Sequence, residues 1–158
     1  MNFYSLFAAA VASLLIGFVY YNPKVFGTIW MRTSGIKFDS DNKPNMIKML
    51  SLHFISAFFI AIILHFLVIH QSGALGMVGG NAAKALPSYA TFMNDYGTAY
   101  RTFKHGALHG TMTGLFLIMP LFGITALYEG KSFKYVLVTS GYWIISCAVM
   151  GAIICGWV

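Results

Sequence analysis

The chain has 158 residues, of which 58% are hydrophobic and 16% aromatic against 9% charged, and its formal charge is +6. So little polar surface cannot cover a soluble globule of this length, so the composition places the chain in a bilayer and leaves no role in binding nucleic acid. The four acidic residues, Asp39, Asp41, Asp95 and Glu129, all fall between the apolar runs. No carboxylate is therefore placed at membrane depth, as an ion-driven pump or secondary transporter would need.

The apolar runs cover about residues 3–21, 49–69, 105–128 and 133–157. Each is close to the ~20 residues that cross a ~30 Å hydrocarbon core as a helix, and strand-like alternation is missing. The fold class is all-α. A single domain, 1–158, carries four transmembrane helices, with an amphipathic helix in the long middle loop at about 71–104.

The first run is expected to be a retained helix and not a signal peptide. Its small residues lie inside the apolar stretch, and no basic residue precedes it. Ala9, Ser13 and Gly17, four apart, form a close-packing stripe, and Tyr20 and Tyr21 suit a membrane interface. Asn22-Pro23 ends the helix, because the residue before a proline is pushed out of helical geometry. The segment from Lys24 to Met31 reads as a brief interfacial helix anchored by Trp30, and Arg32 to Pro44 as a solvated loop.

The second helix holds His53, His65 and His70, which share no face at 3.6 residues per turn. The middle loop opens on Gly73, Gly76, Gly79 and Gly80, a glycine-rich stretch, and restarts at Pro87-Ser88. From there Tyr89, Phe92, Tyr96, Tyr100 and Phe103 recur at steps of three and four, the pattern of an amphipathic helix on the membrane face or over the bundle.

The third helix begins with His105 to Pro120, the stretch around which the chain is organised. Gly106, Gly110 and Gly114 make one stripe, with His105, His109 and Thr113 beside it in the same register. Pro120 removes a backbone donor and bends the helix near Phe116. The turn from Glu129 to Phe133 makes the third and fourth helices antiparallel neighbours. On the fourth, Cys147, Gly151 and Cys155 form another small stripe, and Trp157 anchors its end. The two cysteines are eight apart on one helix, too far to bond to each other, and read as packed side chains.

The segment Tyr20 to Met31, YYNPKVFGTIWM, the short glycine-containing turn after the third helix and the closing Gly156-Trp157 together resemble a known family. It is filed as domain of unknown function seventeen-sixty-one, small four-helix membrane proteins, mostly bacterial. The resemblance implies the four-helix architecture over nearly the whole chain and brings no activity.

Seven of the ten basic residues, Lys24, Arg32, Lys37, Lys43, Lys48, Lys131 and Lys134, lie on one side of the four helices, and Lys84, Arg101 and Lys104 on the other. By the positive-inside rule both termini and the middle loop face outward, in a bacterial inner membrane.

No phosphate-binding loop, zinc-protease motif or nucleophile elbow is present, so no catalytic residue is expected. Beside the lipid bilayer, the expected partners are further copies of the chain or a larger membrane complex, since three small-residue stripes serve only four helices. The leading expectation is a non-enzymatic accessory or scaffold subunit without a cofactor. The alternative places a metal, a haem, a proton path or an apolar ligand at the outward histidines, with His65, His105 and His109 as the first choice of ligands and His70 as the alternative to His65 from the second helix. In that reading the site is a cavity between the second and third helices, with room made by Pro120 and a lid from Tyr89 to Phe103.

Overall fold

The computed structural model describes residues 1–36 and 44–158. Most of the loop expected between Arg32 and Pro44, with Lys37, Asp39, Asp41 and Lys43, lies outside the described residues.

The four long helices each start where a polar side chain caps free backbone N–H groups. Asn2 opens α1 (Phe3–Tyr20), Asn45 opens α3 (Met46–Val68), Thr102 opens α6 (Phe103–Thr113) and Ser132 opens α8 (Phe133–Gly156). Shorter elements lie between them: a π segment at Pro23–Gly27 leading into α2 (Thr28–Ser34), then α4 (His70–Met77), a 3₁₀ turn at Ala82–Lys84, and α5 (Pro87–Tyr96). The third span continues from α6 through a π segment, Gly114–Ile118, into α7 (Met119–Tyr128). All four spans are long and apolar enough to cross a membrane, and there is no strand among the described residues.

The π segment covers Phe116, where Pro120 was expected to disturb the helix. A proline in the first turn of α7 donates no hydrogen bond, and one wider turn ahead of it is a common way for a helix to absorb that loss.

The bundle is organised around α8. Half of α8 is buried inside the bundle, against 17% of the third span. Leu6 and Ala9 of α1, Ala61, Leu64 and Val68 of α3, and Cys147, Met150 and Ile154 of α8 form one core. Against the other side of α8 lies the glycine stripe of α6. A Cβ on Gly106 would run into the Gly151 carbonyl, one on Gly110 into the Cys147 carbonyl, and one on Gly114 into Ile144. Ala9 and Ser13 of the first stripe are fully buried, and Gly17 packs on Tyr142 of α8. All three stripes are thus used inside the chain.

Trp30 is half-buried, edge-on to Tyr21 with ring centroids 5.2 Å apart, and packs into a second cluster with Tyr20, Val138 and Tyr142. Trp157 lies exposed just past α8.

Two details of the middle loop differ from the periodicity. The aromatic helix stops at Tyr96, because Gly97 caps it and Tyr100 turns left-handed with φ 61°. Tyr100 and Phe103 therefore do not belong to it. The glycine-rich opening is helical as far as Met77, through Gly73 and Gly76, after a sharp break at Ile69.

Candidate metal centre

At the end of the bundle that carries both termini, three clips hold the connecting segments in place. Cys155 Sγ lies 3.3 Å from the carbonyls of both Val68 and Tyr100, which fixes the end of α3 against the segment entering α6. Arg101 donates to the carbonyls of Cys155 at 3.0 Å and Trp157 at 3.1 Å, satisfying acceptors that the end of α8 leaves free. Gln71 Nε2 donates to the carbonyls of Tyr96 and Ala99, each at 2.9 Å, tying α4 to the end of α5.

These clips deliver His70 to the pair on α6. Ile69 adopts an extended conformation that ends α3, and His70, the first residue of α4, comes to face His105 and His109. The ligand nitrogens of His70, His105 and His109 lie within 4.8 Å of one another. Nε2 of His105 and Nε2 of His70 are 3.0 Å apart, and the ring centroids are separated by 4.4 Å to 5.0 Å. Tyr100 stands beside His105 with ring centroids 5.2 Å apart. Thr111 and Thr113 are not partners of the imidazoles; their hydroxyls donate to the carbonyls of Ala107 and His109 in their own helix. Asp95, on α5, contacts Asn94.

The expected set of His65, His105 and His109 is thus brought together only in part. His65 is buried on α3 and pairs through Nε2 with Ser72 Oγ at 3.1 Å, while its Nδ1 has no partner among the described residues. His70, the alternative from the second helix, stands beside the α6 pair.

A second polar cluster, at the opposite end, was not legible as such. His53 of α3, Ser13 of α1 and Tyr142 of α8 join three helices through one triangle. Its sides are 3.0 Å from His53 Nε2 to Ser13 Oγ, 2.9 Å from Ser13 Oγ to the Tyr142 hydroxyl, and 3.0 Å from that hydroxyl back to Nε2. Tyr142 also donates to the Ser13 carbonyl at 3.1 Å. All four contacts are satisfied together when Nε2 carries the proton and shares its N–H between Ser13 Oγ and the Tyr142 oxygen, Ser13 donates to Tyr142, and Tyr142 donates to the carbonyl. The only sequence signal for this cluster was that a histidine and a serine lay inside apolar runs.

Between the two clusters lies the apolar core of Leu6, Ala9, Ala61, Leu64, Met150 and Ile154. It separates the polar groups at the two ends.

The family described as "Protein of unknown function (DUF1761)" matches residues 4–155. The chain belongs to this family. The resemblance carried by Tyr20 to Met31 therefore extends over nearly all of the DUF1761 chain. Comparison with curated proteins and with solved structures finds no match. The family's description names no activity, so a function for this DUF1761 protein has to be argued from its residues.

Proposed function

We propose that this is a small integral membrane protein, with both termini outward, that holds a transition-metal ion at His70, His105 and His109 without catalysing a reaction. The observation that carries the reading is the convergence of three imidazole nitrogens, within 4.8 Å of one another, from two separate segments of the chain. Imidazole suits zinc and copper, and this set includes no thiolate or carboxylate. Tetrahedral bonds of about 2.0–2.1 Å place ligand nitrogens roughly 3.3 Å apart. The His70–His105 pair is already at 3.0 Å, so binding asks the wider pairs to close in.

A bare ion fits better than a haem. Axial ligands of a haem sit on opposite faces of a wide macrocycle, whereas these rings are clustered at centroid separations down to 4.4 Å, with no plane open between them. The accessory or homo-oligomeric reading drew on a spare small-residue stripe, and each stripe has its partner within the chain.

Metal analysis and calorimetric titration of the purified protein with zinc and copper test the reading. The expected result is one ion per chain, with binding that weakens in acid because the ligands must shed their protons. Losing an outer-shell partner costs a metal site about 10- to 100-fold in affinity, and losing a direct ligand should cost no less. His70→Ala should therefore weaken binding by at least about tenfold, while His65→Ala should leave it intact. The opposite ranking, or no binding by the unmodified chain, rejects the site.

A further inference from the structure

We infer that Tyr100 is the fourth ligand of this metal site, holding the ion through its phenol oxygen. The inference rests on the metal reading above.

Three imidazoles leave one position open on a four-coordinate ion, and because all three are neutral the ion keeps its full charge. Water can fill that position, but an anionic side chain offsets the charge as well. Among the described residues the cluster itself contains no carboxylate and no thiolate. The side chain that stands beside it is Tyr100, whose ring centroid lies 5.2 Å from that of His105 and 6.4 Å from that of His70. The same side chain lines two cavities, one of about 190 Å³ that it shares with His70 and one of about 470 Å³ that it shares with His105. Tyr100 therefore borders the cluster along its His70–His105 edge.

The spacing of the rings fits shared coordination. With bonds of about 2.0–2.1 Å around a tetrahedral ion, two imidazole centres lie roughly 5 Å apart, and an imidazole and a phenol centre roughly 6 Å apart. The three imidazole pairs stand at 4.4 Å, 4.9 Å and 5.0 Å. The two separations from Tyr100, 5.2 Å and 6.4 Å, bracket the wider value.

The backbone gives an independent reason to single this residue out. Among the described residues Tyr100 is the one non-glycine with a positive φ, at 61°. A bulky residue in that left-handed region is strained, persists only where its surroundings over-determine it, and is found most often at functional sites. Here Gln71 holds the Ala99 carbonyl, Cys155 holds the carbonyl of Tyr100 itself, and Arg101 is fixed to the end of α8. The hydrogen bonds of Tyr100 among the described residues all run through its backbone. Its phenol oxygen is thus left for a ligand. On binding, the phenol O–H bond breaks, the oxygen–metal bond forms and the proton goes to solvent, with no electron transferred; a bound cation favours the anionic form of its ligand.

The test loads the full chain in detergent with Cu²⁺, because phenolate bound to this ion gives a visible charge-transfer band that imidazole and water do not. The unmodified protein should show the band, and Raman scattering excited within it should enhance the ring vibrations of a tyrosinate. Tyr100→Phe should abolish the band and weaken copper binding by at least about tenfold while keeping the thermal midpoint. Tyr96→Phe removes another phenol from the cavity beside His70 and should change neither band nor affinity. A copper-loaded chain without the band, a Tyr100→Phe protein that keeps it, or its loss in Tyr96→Phe instead overturns the role of Tyr100 and leaves the metal site standing. A chain that binds no copper overturns the metal reading and this ligand with it.

Discussion

Gly110 and His109 are adjacent in the chain and face different tasks. Gly110 is buried against the Cys147 carbonyl and Ala148, where no side chain has room. His109 is half-buried, and its imidazole packs against His70 and His105 without a hydrogen bond among the described residues. Overpacking a well-fitted contact costs about 1–3 kcal/mol and sometimes more, while a polar contact between membrane helices averages only about 0.6 kcal/mol. Gly110→Leu should therefore lower the thermal midpoint in detergent far more than His109→Ala. If the metal site is real, His109→Ala should still lose the ion while keeping its fold. A His109→Ala protein as unstable as Gly110→Leu would mean that the histidine, and not close backbone approach, organises α6.

At the scale of elements, the end of the bundle that holds the histidines is kept in order by side chains that cap backbone. Arg101 is the charged member of these clips; its guanidinium closes the free carbonyls at the end of α8 and holds the segment that places Tyr100 beside His105. Hydrogen bonds to a charged donor contribute about 1.5–3 kcal/mol. Arg101→Ala should accelerate amide exchange in Thr102–Gly106 and in the last turn of α8, with little change around Ser13, His53 and Tyr142 at the other end. Uniform exchange along α8 would show that the clip holds nothing in place. The break at Ile69 matters in the same way. In an uninterrupted helix His65 and His70 point about 140° apart, so only the break lets His70 reach α6.

For the whole molecule, orientation has the widest consequence. The described cations Lys24, Arg32, Lys48, Lys131 and Lys134 lie at the end of the bundle away from the termini and Lys84, Arg101 and Lys104 at the other, and the proposed orientation puts the more basic end in the cytoplasm. The native cysteines, Cys147 and Cys155, are buried and should stay silent to a membrane-impermeant maleimide. Introduced singly, Ser88→Cys should label from outside intact cells, and Glu129→Cys only after lysis. The reverse pattern would turn the metal centre toward the cytoplasm.

Four apolar spans, the family and the glycine stripe could all be read from the sequence. The reason is local: an apolar segment of about 20 residues has one good backbone solution in a bilayer, and a glycine every fourth position shapes one helix face wherever that face points. The sequence also marked the histidines as the groups to watch. Which of them meet was decided by tertiary structure, because that depends on how far each helix is rotated about its axis and on where a helix breaks. The break at Ile69 placed His70, rather than His65, beside His105 and His109. The facing of α1, α3 and α8 joined Ser13, His53 and Tyr142, residues up to 129 positions apart. The use of every small-residue stripe inside the bundle was settled at the same level, since a stripe states that something packs closely and not which helix does.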